Sequence, residues 1–410
     1  MRLWFQKIFV ALILFGVPFK GFGKDLALSS NINHTGMFLY YIMSKADNTI
    51  ISPIAISSSL LIAYMGADGA TSDQIGNSLH LGIPKKNVPA AFKSLLSHLT
   101  NVGYNLQLSS TLWIDDSKSI RNNYKKILTK DLGGELYQVN FKKSTEVANR
   151  MNNWISGKTD GKISSIISSA KIDPSTEMIL ASSLFLKGQW KNPFPTQNTG
   201  QENFTRIDGS VVPCQMMNQT SKLYYYENKD TQVVSLPISS LDANYSLIIF
   251  LPKHKTDDLY SFYYAQDESK PEGFISYISQ LKETSVSLSL PKFAASQKLD
   301  LVPLYRSLGI NDAITKSANF SRISPDKGLM INKAFEQSAL AINEGGIFAT
   351  SADESFFHLK SPYVAKATSF VANHPFLFTV YDFDAKLLLF IGECQVPLNA
   401  SDSSSLGSDK

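Results

Sequence analysis

The chain is 410 residues long, and its 43% hydrophobic content is enough to bury a large core. Its 39 basic and 35 acidic residues leave a formal net charge of only +4, which argues against nucleic acid as the main partner. Two cysteines, Cys214 and Cys394, are too few for a disulfide framework; two separate buried thiols are the main reading and a single bridge the alternative.

Residues 1–23 read as a signal peptide. Arg2 and Lys7 make a positive start, residues 8–17 are apolar, and Gly21 and Gly23 put small residues before the expected cut. The apolar run is shorter than the about 20 residues that span a bilayer, so the chain is expected to be secreted, with no membrane partner. A buried N-terminal helix is the competing reading, and the charged pair Lys24-Asp25 interrupts it. Apolar residues at helical spacing predict helices over 32–44, 54–64, 72–79 and 88–99, then over 122–131 and 144–157, with a strand at 106–114 between. Strands dominate from residue 177 onward, at 178–186, 211–217, 223–227, 232–237 and 245–251. Residues 274–283 and 299–308 read as helical around a strand at 286–290. Helices early and strands late indicate an α+β fold. No linker, repeat or composition break divides the chain, so residues 24–398 are expected to form a single domain. The Ser/Asp-rich tail 399–410 is expected to be disordered. Asn-x-Ser/Thr sequons at Asn33, Asn203, Asn218, Asn244, Asn319 and Asn399 mark a glycoprotein only if the source is eukaryotic.

The longest stretch without a periodic pattern covers residues 344–370, between a strand at 330–342 and two apolar strands at 375–383 and 387–392. Loops longer than about 15 residues inside a domain are uncommon and usually functional. Gly345 and Gly346 stand at its entrance, where a pivoting backbone needs them, and small residues follow at Ala349, Thr350, Ser351 and Ala352. Catalysis has little to stand on. The six histidines (His34, His80, His98, His254, His358 and His374) include no pair at metal-ligand spacing, and neither cysteine lies beside one. No G-x-S-x-G elbow or phosphate-binding glycine loop occurs. Asp68, Asp73, Asp115 and Asp116 read as turn and cap residues. No metal, no cofactor and no enzymatic activity are expected.

Asn343-Glu344-Gly345-Gly346 is similar to the hinge of a serpin reactive loop, and Asn373-His374-Pro375-Phe376-Leu377-Phe378 resembles the segment that closes it. Ser52-Pro53-Ile54-Ala55-Ile56-Ser57 with Gly66-Ala67-Asp68-Gly69 resembles the family's second helix and the turn after it. Asn152-Asn153-Trp154-Ile155 with Thr159-Asp160-Gly161-Lys162 resembles its sixth helix, and Phe185-Leu186-Lys187-Gly188-Gln189-Trp190 a central strand. Ser246-Leu247-Ile248-Ile249-Phe250-Leu251-Pro252 and Leu288-Ser289-Leu290-Pro291-Lys292-Phe293 resemble two more strands. The matches are spread in order over residues 30–397, and their order and spacing together are highly specific.

The resemblance implies an α+β serpin fold of three β-sheets and about nine α-helices with an exposed reactive-centre loop. It implies a monomer that inhibits a trypsin-like serine protease as a suicide substrate. By the family's spacing from Glu344 the reactive bond joins Lys360 and Ser361, and a lysine suits a specificity pocket with a buried aspartate. The bonds after Leu359 and Lys366 are fallbacks. The hinge would be Glu344, Gly345, Gly346, Ile347, Phe348, Ala349, Thr350, Ser351 and Ala352. The cut loop would insert as a strand of the main sheet, burying Ile347, Ala349, Ser351, Asp353, Ser355 and Phe357 on one face. Trp190 takes the family's breach position and Ser52, Ala55, Ser182 and Glu336 its shutter, where Ser, Asn and His are usual at 55, 182 and 336. Those departures, with the bulk of Ile347 and Phe348, make a non-inhibitory serpin (carrier, storage protein or protease substrate) the alternative. Lys118, Arg121, Lys125, Lys126 and Lys130 form a basic run that suits a sulfated glycosaminoglycan or, equally, a solvated helix face.

Overall fold

The structure, a computed structural model, describes residues 24–43, 48–100, 105–239, 244–255, 259, 274–349 and 367–398. The signal segment, the tail from 399 and the loop positions Thr350, Ser351, Ala352, Asp353, Lys360 and Ser361 lie outside the described residues. So do the two fallback bonds, after Leu359 and Lys366.

Helix α1 spans Lys24–Ile42 and so includes the charged pair expected to interrupt a helix. After the short β1 (Thr49–Ile51) comes α2 (Pro53–Gly66). Ser52 caps it, its Oγ accepting the Ala55 N–H at 3.2 Å, and Pro53 occupies the first turn, where no N–H is missed. Every residue of α2 is buried, as an all-round apolar helix requires. Then follow α3 (Gly69–Ser78), α4 (Val88–Thr100), β2 (Asn105–Asp115), α5 (Asn122–Lys130), β3 (Glu135–Val139), α6 (Ser144–Lys158) and β4 (Met178–Gln189). The second half is mostly strand: β5 (Gly200–Thr205), β6 (Val211–Glu227), β7 (Thr231–Pro237), β8 (Tyr245–Pro252), β9 (Lys282–Pro291) and β10 (Phe293–Asp300), with α7 (Ile275–Ile278) before β9. The described chain closes with α8 (Leu301–Ser307), β11 (Lys333–Ile342), β12 (Gly346–Ile347), β13 (Thr368–Val371), β14 (Phe376–Asp382) and β15 (Leu387–Cys394).

Two helix expectations shrink. Residues 299–308 divide between β10, which pairs with β11 along its whole length, and α8, which starts where the Asp300 side chain accepts the Val302 N–H at 3.1 Å. Residues 274–283 hold only α7, because β9 starts at Lys282.

The six-stranded sheet runs β10-β11-β12-β4-β2-β3. Its strand β4 alternates between two cores. Met178, Leu180, Leu184 and Leu186 pack on the α2 side, while Ile179 and Ala181 join Met151, Trp154 and Ile155 of α6 on the other. Burying an aliphatic side chain of this size stabilises the fold by about 1.5–3 kcal/mol. The remaining nine strands form one hydrogen-bonded path, β1-β15-β14-β8-β7-β6-β9-β13, with β5 on β6. That path divides at β6. Its first part pairs with β5 and its middle with β9, whereas only residues 224–227 pair with β7. The three sheets of an α+β serpin fold are therefore present, two of them joined through β6, with eight α-helices among the described residues.

Candidate functional site

The contact between β11 and β4 changes along its length. Over residues 333–338 β11 pairs directly and in parallel with residues 179–184 of β4. Beyond that the two strands part, and β12 lies between them, antiparallel to both. Ile347 stands opposite Ile342 on β11 and Gly188 on β4. Ile347 is fully buried and belongs to the core on the α2 side, the face expected for it on an inserting strand. The 344–370 connection is thus structured at both ends, by β12 and β13.

A dense set of bonds holds the turn from β11 into β12. The buried Trp190 donates its backbone N–H to the Gly345 carbonyl and its indole N–H to the Asn343 carbonyl, both at 2.9 Å. The Phe194 N–H donates to the Glu344 carbonyl at 3.0 Å. The Glu344 carboxylate pairs with Lys292 Nζ at 2.7 Å and accepts the Thr199 hydroxyl at 2.9 Å. The pair is largely shielded from water, so losing one partner would leave the other charge poorly matched. Asn343 ties the two arms together. Its Oδ1 accepts the Gly345 and Gly346 N–H groups at 3.0 and 3.1 Å, and its Nδ2 donates to the Ala349 carbonyl at 2.6 Å. Gly346 has φ 153°, and a Cβ there would collide with the Gly188 carbonyl and the Gln189 backbone, so only glycine brings β12 this close to β4. Phe348 ends β12 with φ 44°. Its N–H still donates to the Ala341 carbonyl at 2.9 Å, and its ring stacks on Phe185 with centroids 5.6 Å apart.

Lower in the same seam lies the expected shutter. Glu336 on β11 is fully buried and stands opposite Ser182 on β4. Its Oε1 accepts the Ser52 N–H at 3.2 Å and the Ser338 hydroxyl. Its Oε2 and the Ser182 hydroxyl have no hydrogen-bond partner among the described residues. Burial pushes the Glu336 carboxyl up to about 8, with the bonds from Ser338 and Ser52 pulling it back, so the group is chiefly neutral at pH 7. Ser52, Ser182 and Glu336 are brought together; Ala55 contributes only its backbone N–H, to the Ser52 hydroxyl.

The basic run is split. Lys118 pairs with Glu177 at 2.7 Å and Arg121 donates to the Ser321 carbonyl at 2.7 Å, while Lys125, Lys126 and Lys130 stand exposed on α5. Cys214 and Cys394 are free, buried thiols. Asn33 is buried, donating to the Lys386 carbonyl and accepting the Leu388 N–H, each at 2.8 Å, so that sequon has no free amide in the folded chain. Among the described residues no helix is long and apolar enough to cross a membrane.

Sequence reasoning missed Lys292, Thr199, Ser338, Phe185 and the side-chain role of Asn343. Lys292 stood inside a recognised strand motif, but its distance from Glu344 along the chain gives no sign that the two meet.

A family model described as Serpin (serine protease inhibitor) matches residues 30–397. The chain is 28% identical over 380 residues to a serine protease inhibitor of Cyanea capillata, covering 90% of this chain and 98% of that protein. Among solved structures, thyroxine-binding globulin in complex with thyroxine matches with a TM-score of 0.81 at 22% identity, covering 91% of this chain and 100% of that one. Native protease nexin-1 with heparin matches at 0.78 and 22% identity, covering 91% and 99%. At such identities the two structures speak for the fold alone.

Proposed function

The chain belongs to the serpin family, a family of serine protease inhibitors rather than enzymes, and from that premise we propose that it is a secreted, monomeric inhibitor of a trypsin-like serine protease. The observation that carries this reading is the seat of β12, where the main sheet already admits one loop residue between β11 and β4. The protease serine attacks the Lys360 carbonyl, the Ser361 amine leaves, and the acyl-linked loop then lengthens β12 and carries the protease with it. The ammonium of Lys360 selects a pocket with a buried aspartate. Secretion rests on the signal pattern of residues 1–23. The exposed lysines of α5 are the surface offered to a sulfated glycosaminoglycan, a reading supported by the neighbour solved with heparin.

A second reading is favoured by one group of observations. Phe348 is bulky and left-handed at the hinge, Ala55 lacks a shutter hydroxyl, and Glu336 places a carboxyl there. A serpin slow to insert would serve as a carrier, store or protease substrate, and one structural neighbour holds thyroxine.

Incubation with trypsin followed by a denaturing gel separates the two. The inhibitor reading predicts a stable complex of added mass, and the alternative predicts cut chain with active protease released. Lys360→Ala should lower the rate of inhibition at least about a hundredfold, because the ammonium–aspartate pair is lost. Unchanged inhibition would move the reactive bond elsewhere.

A further inference from the structure

We propose that His34 and His80 form a binding site for one divalent late transition-metal ion, such as zinc. His34 stands on α1 and His80 follows the end of α3. Far apart in sequence, their rings meet edge to face with centroids 4.7 Å apart. An ion about 2.0–2.1 Å from one nitrogen of each ring would hold the two centroids on the order of 5 Å apart. A histidine ring has broad freedom about its last side-chain bond, so rotation in place can aim a lone pair of each at a shared ion. Both side chains are partly buried, and neither ring has a hydrogen-bond partner among the described residues. Burial pushes His34 down to about 4, with His80 adding to the shift, and burial lowers His80 as well. Both rings are therefore neutral at pH 7 and keep the lone pair that a metal ion needs.

The backbone on each side of the pair is fixed by other bonds. Beside His34, Asn33 is bonded to the Lys386 carbonyl and the Leu388 N–H. Thr35 donates its hydroxyl to the Ser78 carbonyl at 3.3 Å, which joins α1 to the last turn of α3. His80 has φ 51° and closes α3. Its N–H donates to the Asn77 carbonyl at 3.0 Å, and the Leu81 N–H donates to the Gly76 carbonyl at 3.1 Å. Glycine is the usual residue at such a helix end, because a Cβ disfavours left-handed backbone. Glycine would end the helix with less strain, so what histidine adds is the imidazole that meets His34. Among the described residues no three His, Cys, Asp or Glu side chains group to hold a metal, so water fills the ion's remaining positions. Two imidazoles without a carboxylate favour zinc, copper or nickel over calcium or magnesium. The ion would staple α1 to the end of α3, and binding it requires no movement of the 344–370 connection.

The test titrates zinc chloride into the full chain, stripped of metal by a chelator and carrying no histidine tag, with calorimetry and melting scans as readouts. Wild type should take up one ion per chain and melt higher with zinc than without it, since an ion that binds only the folded state stabilises it. His34→Gln and His80→Gly should each weaken zinc binding at least about tenfold, because even the outer partners of a metal ligand are worth that much. Each should also lose the zinc-dependent rise in melting temperature. His80→Gly relieves the left-handed strain, so without zinc it should melt at or above wild type, which separates loss of the site from loss of the fold. Calcium chloride in place of zinc should neither bind nor shift the melting of wild type. Wild type without saturable zinc uptake, or with an affinity that either substitution leaves unchanged, overturns the site.

Discussion

Glu336 is the residue whose chemistry sits least easily in its surroundings. It lies in the seam that insertion has to open, fully buried, with one oxygen bonded and the other without a partner among the described residues. A buried carboxyl avoids charge by keeping its proton. In the unfolded chain it ionises near pH 4.5, whereas in the folded chain burial holds the proton up to about pH 8. Between those values the folded state binds more protons, so the stability present in full below about pH 4.5 declines as pH rises toward 8. The slope is at most about 1.4 kcal/mol per pH unit. Glu336→Gln keeps the shape and removes the titration. Denaturant midpoints measured from pH 5 to 8 should therefore fall for wild type relative to the variant. Two parallel curves would mean that the carboxyl is charged or solvated in the folded chain.

At the scale of the element, the register of β12 says what a longer insertion would meet. Ile347 pairs with Ile342 and Gly188, and each further residue steps back by one along both neighbours. Extended in that register, residue 353 arrives opposite Glu336 on β11 and Ser182 on β4, which already face each other. Directly opposite residues share a face, with Cβ atoms about 4.5–5.5 Å apart. The inserted strand would thus set the Asp353 carboxyl beside Glu336, in the core, with the Ser182 hydroxyl as its nearest available donor. Two carboxyls so placed cannot both be charged. Asp353→Thr should improve trapping at pH 7.5, seen as a stoichiometry of inhibition closer to one. Wild type should approach the variant as pH is lowered toward 6. A stoichiometry unchanged by the substitution at both values would show that insertion stops short of residue 353.

This element also shows what a sequence holds and what it withholds. The buried face of Ile347 was legible, and so was the need for glycine where the chain enters β12, because both are properties of a local chain. The register was not, since it depends on where β11 and β4 part. The left-handed turn at Phe348 was equally hidden: nothing in Ile-Phe-Ala announces it, and the tertiary contacts around it, the Phe185 ring on Phe348 and the Asn343 amide on the Ala349 carbonyl, are not local to the sequence. Strand β10 was missed in part because Ser296, Gln297 and Lys298 dilute its alternation, while its pairing with β11 over eight residue pairs decides its conformation.

Over the whole molecule, the main sheet is open at one end of the β11–β4 seam and zipped at the other. The open end already holds β12, and the zipped end keeps its direct pairing over residues 333–338. Such a sheet is not in its most stable arrangement if a strand of the same chain can fill the seam. The connection is tethered at its two ends, by β12 in the main sheet and by β13 in the other sheet. Cutting at Lys360 would release that tether. The fold itself was read correctly from ordered motifs, because each motif is a local demand: a proline after a cap, a glycine at a close approach, an aromatic at a breach. A difference in stability between the cut and uncut chain, if the loop inserts, would be a property of topology and would leave no local mark.

The most direct measurement is a melting scan of intact protein against protein cut after Lys360, at matched concentration and pH. If the loop inserts between β11 and β4, the cut form gains a strand in its main sheet and should melt on the order of 10 °C higher or more. Equal midpoints, or a lower one for the cut form, would contradict insertion and with it the inhibitor reading.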